Sequence, residues 1–146
     1  MQAKNVASMV GKKIKGRKRH IVVDVLGCLL SVVVHAANIH DTMGGMLVAA
    51  RAFDKYPTIK KFCGDEGYCG SFVEYVAWEF DDVGVDILKR INPGFEVLPK
   101  RWIVERTFAW MGNSRRLAKD CEISINSAEN MAIISNLHTL LKRFYS

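Results

Sequence analysis

Apolar and polar residues recur along the first half of the chain with two different spacings, which predict strands and helices. β-Branched apolar runs at 20–23 and 28–36 flank the segment Asp24-Val25-Leu26-Gly27. Asp and Gly favour a tight turn, so this pattern predicts a β-hairpin. Apolar residues at helical spacing follow Asp41-Thr42 and predict a helix that Asp41 caps and Pro57 ends. A short strand is expected over 59–64.

The second half of the chain alternates in the same way. We predict a helix from Ser71 to about residue 82, a strand over 85–88, and a long helix from Arg101 to about residue 119. A last helix opens at Asn126, with Glu129 three residues later in the manner of a capping box. This helix carries one apolar face, formed by Ile133, Ile134, Leu137, Leu140, Leu141 and Phe144. The order of elements predicts an α/β domain in which helices flank a mixed sheet.

Length and composition narrow the class of protein. The 146 residues, 49% of them hydrophobic and 25% charged, indicate one globular domain rather than a disordered chain. No apolar run approaches the roughly 20 residues that span a bilayer, and the amino terminus lacks the apolar stretch of a secretory signal. We therefore expect a cytoplasmic protein with no membrane contact. The 4 cysteines have neither zinc-site spacing nor a disulfide pattern and are expected to be reduced.

The excess positive charge is confined to one end of the chain. The formal net charge is +6, and residues 1 to 20 hold seven of the 21 Lys and Arg residues and no Asp or Glu. We predict a basic arm over 1–19 and a separate domain over 20–146. A one-sided basic segment is typical of nucleic-acid binding, although a solvated tail would look the same. The candidate DNA-binding residues of the arm are Lys12, Lys13, Lys15, Arg17, Lys18 and Arg19.

A glutamate in the helix from Arg101 is the first candidate for chemistry. Glu105 has Trp102 three residues before it and Phe108 and Ala109 three and four residues after it, so it is predicted to lie in an apolar stripe. A buried carboxylate is costly unless it is paired with a cation. The partner is either Arg101, one turn earlier, or a basic residue elsewhere, or a bound metal ion.

An aspartate at a predicted strand end is the second candidate. Asp65 follows the strand over 59–64, and carboxyl ends of strands are where open α/β sheets present ligand sites. An Asx turn between Gly64 and Gly67 explains the same residue. The neighbouring Glu66 is equally acidic, and the sequence does not decide which of the two faces the site. Carboxylate oxygens without a His or Cys cluster favour Mg²⁺ or Mn²⁺.

Four stretches, in this order, resemble the catalytic domain of DDE transposases of bacterial insertion sequences, in the groups numbered four and five. They are Gly16-Arg17-Lys18-Arg19-His20, Asp24-Val25-Leu26-Gly27, Gly64-Asp65-Glu66-Gly67-Tyr68 and the run from Pro99 to Trp110. The resemblance implies a ribonuclease-H-like fold in which two Asp and one Glu hold two divalent ions that drive DNA hydrolysis and strand transfer. Asp65 then matches the second catalytic aspartate and Glu105 the glutamate.

The same resemblance implies DNA partners, namely transposon ends and target DNA, with nucleoid association when the protein is bound. The Mg²⁺ or Mn²⁺ ions are the implied cofactor. Four arginines on or beside the helix from residue 101 either position phosphates or form a solvated face. They are Arg101, Arg106, Arg115 and Arg116.

The chain departs from the family pattern at its amino-terminal end. The first catalytic aspartate is expected on a strand that precedes Gly16, yet residues 1–19 contain no Asp or Glu. We therefore predict a sheet that lacks its first, central strand, a gap that residues 5–10 can fill without supplying an acid. Asp24 is assigned to the hairpin turn, far from Asp65.

The expected protein is thus the carboxyl-terminal part of a transposase catalytic domain, truncated or encoded in a split frame and inactive alone. A second copy or an upstream-frame transposase chain is its expected protein partner. One alternative is a working nuclease whose third carboxylate comes from Asp24 or a partner chain. The other is a DNA-binding remnant without enzymatic activity.

Overall fold

The structure, a computed structural model, describes residues 6–14, 16–88, 101–114, 117 and 122–145. These residues form a mixed sheet with helices on both faces. The strands are β1 (Val6–Ile14), β2 (Arg17–Val23), β3 (Leu29–Ala36), β4 (Lys61–Asp65) and β5 (Gly84–Leu88). The helices are α1 (Asp41–Lys55), α2 (Ser71–Glu79), α3 (Arg101–Gly112) and α4 (Ile125–Tyr145). The predicted order of elements is confirmed, with one strand added at the start.

The sheet has the strand order β3-β2-β1-β4-β5. β1, β2 and β3 are antiparallel neighbours, whereas β4 is parallel to both β1 and β5. β1, β3, β4 and β5 therefore all end on one side of the sheet, which we call the carboxyl edge. The turn between β2 and β3 lies at the opposite edge.

The central position of the sheet is occupied by β1, so the prediction of a missing central strand is wrong. Ser8 pairs with Val23 of β2 on one side and with Cys63 of β4 on the other. The unpaired backbone groups of β2 and β4 recruit this segment because a strand edge is a template for another strand. Ala7 and Met9 gain burial in return, with 0% and 2% of their surface exposed. Of the segment over 5–10 that was expected to fill the gap, residues 6–10 do so, and they bring no acidic side chain.

The amino-terminal basic segment is part of the sheet over the residues that the structure describes. Residues 6–14 are β1, and the predicted boundary after residue 19 falls inside β2. The hairpin of β2 and β3 is confirmed. In its turn, Asp24 accepts hydrogen bonds from the N–H groups of Leu26 and Cys28, both at 2.9 Å. Gly27 takes a φ of +84° there, which a side chain would disfavour.

Each face of the sheet has its own hydrophobic core. α1 and α2 cover one face, where Phe62 of β4 packs with Phe72 and Val76 of α2, all fully buried. α3 and α4 cover the other face around Ile21 of β2 and Met111 of α3. Burial of a side chain of this size contributes about 1.5–3 kcal/mol, so the two cores fix the sheet between its helices.

The outer edge of β3 is closed by side chains from both layers. Arg51 of α1 donates a hydrogen bond to the carbonyl oxygen of Val32 at 3.0 Å, and the N–H of Val34 donates to Glu129 of α4 at 3.0 Å. Arg51 and Glu129 are themselves joined at 3.0 Å. This clamp satisfies backbone groups that would otherwise be open to pairing with a strand of another chain.

Helix α4 differs from its predicted form in two respects. Its amino terminus is capped by Ser124, whose hydroxyl accepts from the N–H of Ser127, because Glu129 is engaged at the β3 edge. Its buried residues are Ala128, Ala132 and two polar residues, and of its large apolar side chains Met131 packs against the core whereas most of the others do not. The exposed members of the predicted apolar face are Ile133, Ile134, Leu137, Leu141 and Phe144.

Within the described part of the chain, Cys28, Cys63 and Cys69 are thiols that form no disulfide, and Cys121 lies outside it. No helix described there has the length and apolarity needed to cross a bilayer.

Candidate active site

Asp65 lies where β4 ends at the carboxyl edge. It precedes a single 3-10 turn, Glu66–Tyr68, and its Oδ1 accepts a hydrogen bond from the N–H of Gly67 at 3.0 Å. The Asx-turn interpretation is therefore correct for this oxygen. Asp65 is half-buried, whereas Glu66 is exposed. β4 lies inside the sheet between β1 and β5, so Asp65 occupies the kind of strand end that presents ligands in α/β domains.

A second aspartate, which the sequence pattern assigned to a helix cap, lies beside Asp65. A Cβ added at Gly67 would lie 3.1 Å from Oδ1 of Asp65 and 3.9 Å from Oδ2 of Asp41, so these oxygens are at most about 7 Å apart. Asp41 is the first residue of α1, and His40 is the cap, accepting from the N–H of Thr42. The topology indicates why Asp41 lies beside Asp65, since α1 follows β3 and β3 ends at the same edge of the sheet as β4.

Lys18 of β2 compensates the charge of Asp41. Its ammonium lies 2.8 Å from Oδ1 of Asp41 and also donates to the carbonyl oxygen of Ile39 at 3.0 Å. The hydrogen bond from Lys18 lowers the pKa of the Asp41 carboxyl, and burial opposes this effect. The Asp41 carboxylate is therefore held ionised, and one of its oxygens is engaged by a cation of the protein.

A buried polar cluster holds α1 against the strands beneath these two aspartates. His20 of β2 is fully buried, its Nδ1 lies 2.7 Å from the hydroxyl of Tyr68, and its ring stacks on that of His35 at 4.8 Å. A Cβ at Gly44 would lie 2.4 Å from Nε2 of both histidines, so only glycine allows α1 to approach this closely. Burial, followed by the charge of His35, lowers the pKa of His20 to about 4.

The same burial raises the pKa of Tyr68, with the charges of Asp65 and Asp41 adding to the effect. His20 and Tyr68 are thus both neutral near pH 7. The cluster positions the start of α1 and the turn after β4, and through them the two aspartates at the carboxyl edge.

The basic segment runs past Asp65 at this edge. The β1–β4 register pairs Ser8 with Cys63, which places Val10 level with Asp65. β1 continues to Ile14 with β2 as its partner, and at about 3.3 Å per residue its end lies about 13 Å beyond Asp65. The backbone over 12–14 therefore extends past the end of β4, at the same edge of the sheet as Asp65.

Three of the six predicted DNA-binding residues of this segment make contacts within the protein. Arg17 donates to the carbonyl oxygens of Glu122 and Ile123 at 3.1 and 2.8 Å, Lys18 pairs with Asp41, and Arg19 is 5% exposed. The side chains of Lys12 and Lys13, and all of residue 15, lie outside the described residues.

Glu105 lies on α3, but not in a buried stripe as predicted. It is exposed, as is Ala109, and the buried face of α3 consists of Ile103, Thr107 and Met111. Thr107 lies in that face because its hydroxyl donates to the carbonyl oxygen of Ile103 at 2.9 Å. The apolar pattern of the sequence predicted the wrong buried face of α3, because Thr107 is polar but its hydroxyl is hydrogen-bonded within the helix. Because Glu105 is exposed, burial of its charge does not require a cation there.

The four candidate arginines of this region differ in how far the structure describes them. Arg106 lies with its guanidinium 4.6 Å above the ring of Trp110, and one of its nitrogens would be 3.1 Å from a Cβ at Gly27. It therefore reaches the β2–β3 turn, at the opposite edge from Asp65. The side chain of Arg101, and all of residues 115 and 116, lie outside the described residues.

Carboxylate oxygens are suitable ligands for Mg²⁺ or Mn²⁺, and Mg²⁺ is commonly held by one or two carboxylates with water completing its shell. In this respect Asp65 and Glu105 suit a divalent ion. No three His, Cys, Asp or Glu residues are grouped as a metal site in the described ranges. Asp24 is buried in the turn at the opposite edge and does not replace the missing acid. The joint site of Asp65 and Glu105 stays a prediction.

Comparison with solved structures identifies the fold. The chain is similar to the catalytic core domain of BIV integrase, with a TM-score of 0.64 and 13% sequence identity. The match covers 90% of this chain and 82% of the integrase chain. The fold is accordingly ribonuclease-H-like, as the sequence predicted.

Comparison of sequences gives the family. No curated protein matches the chain significantly. The model of the family described as "Transposase DDE domain" matches residues 2–141, which is nearly the whole chain. This protein belongs to the DDE transposase domain family.

Proposed function

We propose that this protein takes part in DNA transposition as a DDE-type catalytic domain, acting on transposon ends and target DNA in the bacterial cytoplasm. The observation that carries the proposal is the position of Asp65. In a chain matched by the transposase family over residues 2–141, it ends an interior parallel strand of a ribonuclease-H-like sheet. Site-directed tests of Asp65 therefore decide the proposal.

We propose that Asp65 and Glu105 hold Mg²⁺ or Mn²⁺. The ions would stabilise the attacking and leaving oxygens of an in-line phosphodiester displacement. The turn that fixes Oδ1 of Asp65 through the N–H of Gly67 orients the carboxylate at the carboxyl edge. The ion pair of Lys18 with Asp41 keeps a second carboxylate at the same edge from being an uncompensated charge.

The chain on its own is proposed to be catalytically inactive. The central strand β1 contributes no acid, since its sequence is VASMVGKKI, and Asp24 is bound in the far turn. Asp41 is near Asp65 but is held by Lys18. A third carboxylate would then come from outside these 146 residues, either from a further segment or from a partner chain. The alternative is a remnant that binds DNA without cutting it.

Nicking of supercoiled DNA tests this proposal. The purified chain is assayed with Mg²⁺ or Mn²⁺, alone and after addition of a polypeptide segment that carries the family's first catalytic aspartate. We expect nicking only in the complemented reaction. D65N and E105Q should abolish it, whereas E66Q, an equivalent change at the exposed neighbour of Asp65, should not.

Three results would contradict parts of the proposal. Nicking by the unaided chain that E105Q abolishes would show that the chain completes its own site, and loss of that activity in D41N would identify Asp41 as the third ligand. Complemented nicking that survives D65N and E105Q would remove both from the site. DNA binding without nicking in any mixture would favour the remnant.

The hairpin of β1 and β2 is proposed to hold DNA at the carboxyl edge. Arg17, Lys18 and Arg19 are engaged within the protein, so Lys12, Lys13 and Lys15 are the residues left to contact phosphates. Three contacts predict that replacing all three lysines by Gln changes the slope of log affinity against log salt by about 2.7, at about 0.9 per contact. Anisotropy titrations with a duplex oligonucleotide measure this slope. An unchanged slope would mean that the lysines are only solvated.

A further inference from the structure

A cavity of about 500 Å³ lies between α3 and α4, at the edge of the sheet opposite Asp65. Trp110, Asn113 and Ser114 line it from the α3 side, and Lys142 and Arg143 line it from α4. Its volume is in the range of sites that take small molecules or parts of polymers. Trp110 ends the motif stretch from Pro99, but no part of the proposed catalytic site lines this cavity.

Two guanidinium groups meet at the aromatic wall of the cavity. Arg106 lies 4.6 Å and Arg143 4.8 Å from the centroid of the Trp110 ring. Cation–π contacts of this kind hold arginine side chains in place at low entropic cost. Arg143 also donates a long hydrogen bond, 3.5 Å, to the carbonyl oxygen of Leu26 in the β2–β3 turn. The cationic groups are therefore oriented by the protein before any ligand arrives.

The described residues that line the cavity carry positive charge. Burial, followed by the positive charge of Arg143, lowers the pKa of Arg106, and the charge of Asp24 opposes this. Asp24 already accepts two backbone hydrogen bonds in its turn. The described lining residues include Lys142 and Arg143 and no Asp or Glu. Like charges at this separation repel, and a bound anion would relieve that repulsion.

The rest of the lining offers hydrogen-bonding groups rather than an apolar surface. Ser114 and Asn113 present a hydroxyl and an amide, and His138 adds an imidazole, whereas the Thr139 hydroxyl donates to the carbonyl oxygen of Ser135 at 3.0 Å. Hydroxyl, amide and guanidinium donors are the groups that contact DNA phosphates in protein complexes. The lining thus combines fixed positive charge, neutral donors and one aromatic ring.

We propose that this cavity is a second DNA-binding site, which takes phosphodiester groups of the DNA backbone through Arg143 and Lys142 with Trp110 as its wall. The inference rests on the proposed function, because the anion is taken to be the DNA on which the protein acts. The cavity lies near the β2–β3 turn, whereas the end of the β1–β2 hairpin lies at the carboxyl edge. A DNA duplex that reaches both sites is held at the two ends of the sheet.

Salt-dependent DNA binding tests the inference. The full chain is titrated with a duplex oligonucleotide by fluorescence anisotropy at several NaCl concentrations, without divalent metal. K142Q/R143Q should weaken binding and flatten the salt slope by about 1.8, for two lost contacts at about 0.9 each. The matched control K55Q/K60Q removes the same charge from exposed positions away from the cavity and should change the slope by less than half as much. Equal effects of the two double variants would overturn the inference.

The fluorescence emission of Trp110 reports on binding inside the cavity. With Trp78 and Trp102 replaced by Phe, Trp110 is the single tryptophan of the chain. We expect duplex DNA to change its emission, K142Q/R143Q to abolish the change, and the charge-preserving K142R/R143K to retain it. Inorganic phosphate serves as the second probe. A response to phosphate at least as strong as the response to equal phosphate in DNA would mean a small-anion site and overturn the DNA assignment.

The outcome is independent of catalysis. Binding is measured without metal and is repeated in the D65N/E105Q background, where the cavity should contribute the same slope. If the cavity variants alter binding and complemented nicking never appears, this inference stands and the proposed enzymatic function fails. If nicking appears and the cavity variants bind as the parent does, the reverse holds.

Discussion

Acidification should destabilise the fold through His20. Burial and the neighbouring His35 lower the pKa of His20 from 6.5 to about 4, so the unfolded chain takes up a proton at a higher pH than the folded chain does. A folded state with the lower pKa loses stability as pH falls from 6.5 towards 4. The contribution of neutral His20 to the free energy of unfolding is fully present above pH 6.5 and is lost by about pH 4.

The size of the effect follows from the difference in pKa. At about 1.36 kcal/mol per pH unit, the full loss is about 3 kcal/mol, of which about 2 kcal/mol is lost by about pH 5. Burial of His20 is the main cause, and its stacking on His35 at 4.8 Å adds to it, because a charge on His20 would face a second imidazole inside the protein. The lowered pKa of Asp41 affects stability only below its ordinary 3.8, outside this range.

Urea unfolding near neutral pH and near pH 5 measures this loss. The variant H20N keeps a polar group beside the Tyr68 hydroxyl but removes the titration, so its free energy of unfolding should change by about 2 kcal/mol less than that of the parent protein. H138N, at an exposed histidine, should behave like the parent. If H20N and the parent lose the same free energy over this pH range, His20 does not titrate as the buried cluster requires.

Three further substitutions probe the fold that carries the site. E129A should cost about 1–3 kcal/mol by leaving the N–H of Val34 without its acceptor, and together with R51A it should increase concentration-dependent association in sedimentation relative to the parent, whereas E129Q should sediment like the parent. G44A should lower the unfolding free energy by about 1–3 kcal/mol through overpacking against the histidines, and G84A, whose added Cβ meets nothing within 4 Å, is its control in the same thermal melts. D24A should cost about 1–3 kcal/mol by removing the acceptor of two turn N–H groups, and it should leave Mn²⁺ binding at the carboxyl edge unchanged in a titration.

Local patterns were sufficient for most of the elements. The β2–β3 hairpin follows from β-branched runs around an Asp-x-x-Gly turn, and the structure confirms both the strands and the role of Asp24. The position of Asp65 at the end of a strand follows from a short apolar run that stops at glycine. These features depend on neighbouring residues, so their physical cause is visible in the sequence.

The side chains of helices were predicted less well, because a helix face is chosen by what it packs against. On α3, Thr107 is buried and Glu105 is exposed, since the threonine hydroxyl is satisfied within its own helix. On α4, small residues face the sheet and most large apolar residues face solvent. Periodicity locates an apolar stripe but does not say which stripe the neighbouring layer covers.

Long-range pairing was decided by the tertiary structure alone. The sequence by itself determined an α/β domain, its hairpin and a strand-end aspartate, and its motifs indicated the transposase family. The tertiary structure decided that β1 fills the centre of the sheet, that Asp41 lies within about 7 Å of Asp65, and that two arginines meet on Trp110. Each of these depends on residues distant in the chain, whose pairing is set by open strand edges and packed layers rather than by local spacing.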